Sequence, residues 1–313
     1  MSKTAFVFPG QGSQSVGMAK SFYDSFDTAK KAFDEASTAM SLDMARLCFE
    51  GPEELLNRTE YTQPALLAAS IATLRVLFEK TSFRPSFYAG HSLGEYTALV
   101  ASGALDFKEA IRLVHLRAIF MQESVPAGVG KMCAIIGLGL SDVQTICDSS
   151  SIDSAQVVPA NINSPEQIVI SGAAAAVDIA AGMAKDRGAK MVVPLQVSAP
   201  SHSPLMENAA VRLGKELDKI TIKDPSIPVY TNVEAAPLTQ KGSIKELLCR
   251  QLTSPVRWVD IVRQMKADGA WKIIEIGPSK VLTALIKRID KEINTLNLKE
   301  AADLEKVSGA LEA

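Results

Sequence analysis

The pentapeptide GHSLG, Gly90 to Gly94, sets one serine between small residues, the pattern of a strained strand-to-helix turn. Such a turn projects the hydroxyl of Ser92 as a nucleophile. An apolar stretch precedes it and an alanine-containing run follows. A helix starting here would aim backbone N–H groups, that of Leu93 first, and the positive end of its dipole at a developing oxyanion. A turn that only serves packing satisfies the same letters, so the decision falls to possible partners.

A serine hydroxyl needs an adjacent base, usually histidine. The chain has three histidines. His91 adjoins the serine, yet its side chain should leave the turn in another direction. His115 falls on the polar side of its predicted helix, beside Lys108 and Gln122. His202, in SAPSHSP, follows a predicted strand and precedes a predicted helix, a loop position from which active-site groups are commonly presented. Simple solvent exposure of a loop histidine is the other reading.

Winding Phe107 to Gln122 at about 3.6 residues per turn gathers Phe107, Ala110, Leu113, Val114, Ala118, Phe120 and Met121 on one arc. Arg117 falls inside that arc, while Lys108, Glu109 and Arg112 lie outside it or at its edge. A buried guanidinium is costly unless paired. Either it meets an internal acid or snorkels, or it is a bidentate clamp for a substrate carboxylate, which its planar fork suits.

The turn PGQGSQSVG after the first apolar run invites a nucleotide reading that its spacing refuses. A dinucleotide fingerprint from Gly10 and Gly12 needs glycine where Ser15 stands, and a phosphate loop from Gly12 to Gly17 needs Lys-Ser/Thr where Met18 and Ala19 stand. A tight turn that turns the N–H of Gln11 toward Ser92, as a second oxyanion donor, fits instead.

These groups require elements to hold them. Thr4 to Phe8 reads as a strand, with a helix starting near Ser13 to Val16, and Pro64 to Phe78, apolar on nearly every face, as a buried helix. Ser86 to Ala89 is a strand leading into the serine turn, and Asp106 caps a helix to about Gln122. Next come a strand at Lys131 to Leu138, a helix at Ser141 to Asp148, strands at Gln156 to Ala160 and Gln167 to Ser171, a helix at Ala173 to Arg187 and a strand at Lys190 to Val197. That βαββαβ order is the ferredoxin-like pattern. It implies a small domain, 128–198, inserted into a larger α/β domain formed by 1–127 and 199–313, with joins near Val125 to Gly130 and Ser198 to Ser201. Strands at Val229 to Val233 and Lys272 to Ile276 complete the larger domain.

A net charge of −2 over 313 residues leaves no electrostatic footprint for nucleic acid or an anionic membrane. Cys48, Cys133, Cys147 and Cys249 form no CxxC pair, which argues against a zinc site and for reduced thiols. No stretch reads as a signal peptide, and the most apolar helix breaks at Arg75, short of the roughly 20 residues a bilayer needs. A cytoplasmic chain is expected.

Taken together, FPGQGSQ, YTQPALLA, GHSLGEYTAL, SAPSHSPLM and LTSPVRW, in this order and spacing, resemble the malonyl-CoA:acyl carrier protein transacylases of bacterial fatty acid synthesis. The resemblance covers essentially the whole chain. It implies a large α/β-hydrolase-like domain with an inserted ferredoxin-like domain, malonyl-CoA and acyl carrier protein as partners, no metal or cofactor, and a monomer. By it Ser92 is the nucleophile, His202 its base, Arg117 the carboxylate clamp, and the Gln11 and Leu93 amides the oxyanion hole. The carbonyl of Gln251 orients the imidazole, and Met121 and Ser201 line the acyl site. Ser201 departs from the phenylalanine that many relatives carry before the histidine, which bears on tolerance for substituted malonyl groups. Arg187, Lys190, Lys287 and Arg288 are candidates for carrier docking. A serine esterase or thioesterase is the alternative. The places of Asn161 and Asn163 are open.

Overall fold

The first strand, β1 (Lys3–Phe8), is buried on both faces and shows how the main sheet is built: Phe6 and Phe8 pack into one helical layer, Ala5 and Val7 into the other. The chain, described here from a computed structural model covering residues 3–152, 155–196 and 199–312, forms ten strands in two sheets. After β1 come β2 (Phe87–Gly90), β3 (Gly130–Ile136), β4 (Val157–Ser164), β5 (Gln167–Ala173), β6 (Met191–Pro194), β7 (Val229–Tyr230), β8 (Pro237–Leu238), β9 (Ala270–Ile276) and β10 (Asn294–Leu298). The larger sheet has the order β10-β9-β1-β2-β7-β8 and is parallel except at the β7–β8 pair. The smaller sheet is antiparallel, in the order β4-β5-β3-β6.

Helices cover both faces of the larger sheet, as parallel strands with two apolar faces require. On one side lies Thr59–Lys80, buried over most of its length, together with Asp27–Met40 and Phe107–Glu123. On the other, Trp258–Ala267 and Val281–Ile289 cover Ala5, Val7, Phe87 and Ala89. β1 has β2 on one side and β9 on the other, so the carboxyl ends of β1 and β2 border the crevice where such sheets bind ligands. No described helix is long and apolar enough to cross a membrane.

Several local expectations shift for physical reasons. The helix foreseen from Ser13 to Val16 starts only at Lys20, because Gly12, Gly17 and Ala19 all have positive φ and keep the chain turning. The buried helix starts at Thr59, five residues before Pro64. Proline has no N–H for the carbonyl of Glu60, and the Nδ1 of His115 bonds that carbonyl at 2.8 Å. His115 is thus half-buried and occupied in structure. The strand expected at Val229 to Val233 leaves the ladder after Tyr230, where Asn232 is drawn toward the serine turn. The strand foreseen to Val197 ends at Pro194, and Val197 and Ser198, where the second join was expected, fall outside the described residues.

The glycines of the serine turn are required by close backbone approach. A Cβ on Gly90 would lie 1.9 Å from the carbonyl of Gly94, and one on Gly94 would lie 2.1 Å from the oxygen of Phe8. Gly90→Ala should therefore cost about 3 kcal/mol or more. Gly182, exposed in the helix Ala174–Asp186, has nothing within 4 Å of such a Cβ, and Gly182→Ala should stabilise by about 0.5–1 kcal/mol. Urea unfolding of the two variants checks both signs, and similar midpoints would contradict the steric account.

Candidate active site

Adjacent parallel strands deliver the two turns side by side. Phe8 of β1 pairs in register with Gly90 of β2, so the Pro9 to Gly12 turn and the His91 to Leu93 turn emerge together at the carboxyl edge. Ser92 has φ 50 and ψ −105, a sparsely populated conformation that costs on the order of 1–3 kcal/mol. Hydrogen bonds on both sides of the residue hold it there. Its N–H donates to Asn232 Oδ1 at 2.7 Å, and its carbonyl accepts from Gln251 Nε2 at 3.0 Å. Asn232 also donates from Nδ2 to the Gly90 carbonyl at 2.7 Å, clamping the strand end and the turn together. Leu93, the first residue of the helix Leu93–Ala101, has no intrahelical acceptor for its N–H.

His202 comes to this serine from the far side of the chain. Its Nε2 lies 2.9 Å from Ser92 Oγ, and its Nδ1 lies 2.7 Å from the Gln251 carbonyl. A carbonyl can only accept, so Nδ1 carries the proton and Nε2 is the free acceptor in the neutral ring. Burial, and then the nearby Arg117 cation, lower the His202 pKa to about 3. The ring is therefore neutral at physiological pH and ready to take a proton. A serine and a histidine oriented by a main-chain carbonyl form a dyad capable of acyl transfer.

Arg117 is 1% exposed, and every apolar residue of its predicted arc is buried with it. Its hydrogen-bond partners are all neutral. Nη1 donates to Gln63 Oε1 at 2.8 Å, while Nη2 donates to Gln251 Oε1 at 2.9 Å and to Ser92 Oγ at 3.2 Å. Its Nε has no hydrogen-bond partner among the described residues, and the guanidinium sits 5.2 Å from the centre of the Tyr96 ring. The alternative of an internal salt bridge is not seen: among the described residues no carboxylate pairs directly with Arg117. A buried cation bonded directly only to amides and a hydroxyl can take a carboxylate from outside as its direct partner.

These groups open into a cleft of about 550 Å3. Ser92, His202, Arg117, Gln11, Leu93, Met121 and Ser201 all line it, and Gln251 lies buried behind, reaching it through His202 and Arg117. The Gln11 side chain donates to Thr59 Oγ1 at 3.1 Å. Met132 of β3 and Asn161 of β4 contribute from the smaller sheet, as does Leu195 just beyond β6, and Ser201 Oγ lies 3.4 Å from Met132 Sδ. Asn163 does not line the cleft; its Oδ1 meets His91 Nε2 at 2.8 Å and ties the serine turn to β4. The same seam carries a bridge between Asn161 and Val256. Of the basic residues singled out, Arg187 and Lys287 are exposed, Lys190 pairs with Glu166 at 2.9 Å, and Arg288 donates to Gln167 at 2.6 Å.

Sequence reasoning missed Gln63, Asn232 and Glu95. Gln63 had a visible signal, an amide in an otherwise apolar run. Asn232 and Glu95 had none, because their partners lie more than a hundred residues away.

A model of the acyl transferase domain family matches residues 5–309. The malonyl CoA-acyl carrier protein transacylase of Escherichia coli (strain K12) is 46% identical over 312 residues, 100% of both chains. That of Bacillus subtilis (strain 168) is also 46% identical, over 97% of this chain and 96% of its own. Among solved structures, an acyl carrier protein S-malonyltransferase from Vibrio cholerae superposes with a TM-score of 0.96 at 48% identity, covering 98% of this chain and 100% of that one. A malonyl-transacylase solved in complex with a type II polyketide acyl carrier protein gives 0.96 at 44% identity, covering 99% and 100%. The mixed α/β fold is thus shared along the full length, and the chain belongs to the acyl transferase family, among the malonyl CoA-acyl carrier protein transacylases.

Proposed function

We propose that the protein transfers a malonyl group from malonyl-CoA to the phosphopantetheine thiol of acyl carrier protein through a malonyl ester on Ser92. The observation that carries this is the buried Arg117, held by neutral partners within 3.2 Å of the nucleophile's oxygen. A carboxylated acyl group whose carbonyl sits at Ser92 brings its own carboxylate to that cation.

His202 Nε2 takes the proton from Ser92 Oγ as the oxygen attacks the thioester carbonyl. The new C–O bond moves an electron pair onto the carbonyl oxygen, which rests on the N–H of Leu93 at the helix N-terminus and that of Gln11 in the neighbouring turn. Collapse breaks the C–S bond, and the CoA thiolate leaves with the proton from the imidazolium. The carrier thiol then enters, gives its proton to His202, attacks the ester and restores Ser92, giving ping-pong kinetics. Every proton in these steps has a named atom to hold it.

In this reading residues 1–127 and 199–313 form an α/β-hydrolase-like catalytic domain, and 128–198 a ferredoxin-like one. The order β4-β5-β3-β6, with helices after β3 and β5, supports the second description.

Intact-mass measurement after mixing the protein with malonyl-CoA tests the function. A single malonyl adduct, mapped by peptide sequencing to Ser92 and discharged by carrier protein, is the expected result. Steady release of malonate with no adduct and no transfer would make the protein a hydrolase instead.

A further inference from the structure

Behind the dyad lies a buried acid that these steps do not use. Glu95, on the first turn of the helix Leu93–Ala101, is 2% exposed. Its Oε2 accepts from Gln251 Nε2 at 2.6 Å and from the Asn232 N–H at 3.2 Å. Gln251 is thereby fixed in one amide orientation, with Nε2 on Glu95 and the Ser92 carbonyl, and Oε1 on Arg117. The main-chain carbonyl of the same Gln251 orients His202. One carboxyl thus stands one amide away from the cation and steers the residue that serves both cation and base.

We propose that Glu95 is a positioning residue that serves as the counter-charge of Arg117 in the free enzyme, relayed through the Gln251 amide, and that binding of a carboxylated acyl group is coupled to protonation of Glu95. The inference rests on the reading of Arg117 as the carboxylate clamp. The incoming carboxylate and an ionised Glu95 compete for one positive charge within a buried volume. Neutralising Glu95 leaves that charge to the substrate, and by reciprocity the substrate raises the proton affinity of Glu95 by the same factor.

The surroundings put this exchange near neutrality. Burial raises the Glu95 pKa to about 7, against the lowering effects of Gln251, the Asn232 N–H and Arg117. The other groups around it do not titrate between pH 6.5 and 8. His202 is lowered to about 3, and burial lowers His91 from its ordinary 6.5. Burial raises the Tyr96 hydroxyl on the same helix and the Cys249 thiol on the Gln251 helix above their ordinary 10.0 and 9.0. Arg117 stays cationic throughout. The sign follows: acidification neutralises Glu95, so affinity for the malonyl group rises as pH falls through 7.

The test uses Ser92→Ala protein, which binds without turnover, titrated with malonyl-CoA and acetyl-CoA at pH 6.5 and 8. The CoA phosphates are common to both ligands and cancel in the comparison. Malonyl-CoA should bind about three- to eightfold tighter at the lower pH, relative to acetyl-CoA. Adding Glu95→Gln, which keeps an acceptor for both hydrogen bonds but no charge, should abolish that difference. Should that variant fold poorly, calorimetry of the Ser92→Ala protein in two buffers of different ionisation enthalpy reads the same coupling, as proton uptake with malonyl-CoA beyond that with acetyl-CoA. Equal pH dependence for the two ligands, no excess proton uptake, or a pH dependence that survives in Glu95→Gln overturns the proposal. Failure of the wild-type protein to form a malonyl adduct overturns the function itself, whereas an adduct without pH coupling removes only the role of Glu95.

Discussion

His202→Ala is expected to slow acylation of Ser92 by malonyl-CoA by about 10³-fold or more, and Ser92→Ala to remove the acyl-enzyme altogether. General-base assistance contributes about 10²–10⁴-fold, and among the described residues the serine has no second base within reach. His91, the adjacent imidazole, is bonded to Asn163 at 2.8 Å and packs its ring 5.8 Å from that of Trp258. Arg117 also donates to Ser92 Oγ, but a cation stabilises the alkoxide without accepting its proton. Some acylation should survive in His202→Ala, because the Leu93 and Gln11 amides proposed as oxyanion donors, and Arg117, remain. Because the wild-type imidazole is neutral well below pH 6, the maximal acylation rate should show no histidine inflection between pH 6 and 8. Rapid mixing with malonyl-CoA, quenched for intact mass, reads both variants. A rate for His202→Ala within about tenfold of wild type would place the base elsewhere.

Arg117→Ala should erase the preference for malonyl-CoA over acetyl-CoA, a change of about 10²-fold in the ratio of kcat/KM values. The figure follows from a charge-assisted bond of about 1.5–3 kcal/mol gained by malonyl, together with the penalty acetyl incurs by leaving the guanidinium without a direct carboxylate partner. Loss of the guanidinium also frees the buried Gln63 and Gln251 oxygens. The kcat for acetyl transfer should therefore be read beside a thermal melt, to separate lost selectivity from a loosened site. Arg117→Lys should recover little of the selectivity, since one ammonium cannot donate to Gln63, Gln251 and a bidentate carboxylate in the geometry of a planar fork. Unchanged discrimination in Arg117→Ala would sink the clamp reading, and with it the coupling to Glu95.

Local signals carried much of the site. GHSLG is legible because two glycines and a serine at fixed spacing describe a backbone geometry, and the clash distances at Gly90 and Gly94 show why no larger residue fits. Arg117 is legible because helical periodicity converts sequence position into direction, so a charge among apolar neighbours must face inward. The βαββαβ order was readable because each of its elements is short, apolar and bounded by turns. His202 was reached by elimination among three histidines, a weaker argument that the 2.9 Å contact to Ser92 now replaces with geometry.

What the sequence determined by itself was therefore the kind of chemistry and the direction each group faces within its own element. Only the tertiary structure decided the distances, and with them the charge balance. Gln251, Asn232 and Glu95 reach Ser92 and Arg117 from positions 22 to 159 residues away or through partners so far removed. Periodicity says nothing about such approaches, because they depend on which strand lies beside which. The parallel pairing of β1 with β2 and of β2 with β7 brings the glycine turn, the serine turn and Asn232 to one edge. Burial there removes water as the alternative partner, so each polar group must find another, and the network that results exists only in the folded chain.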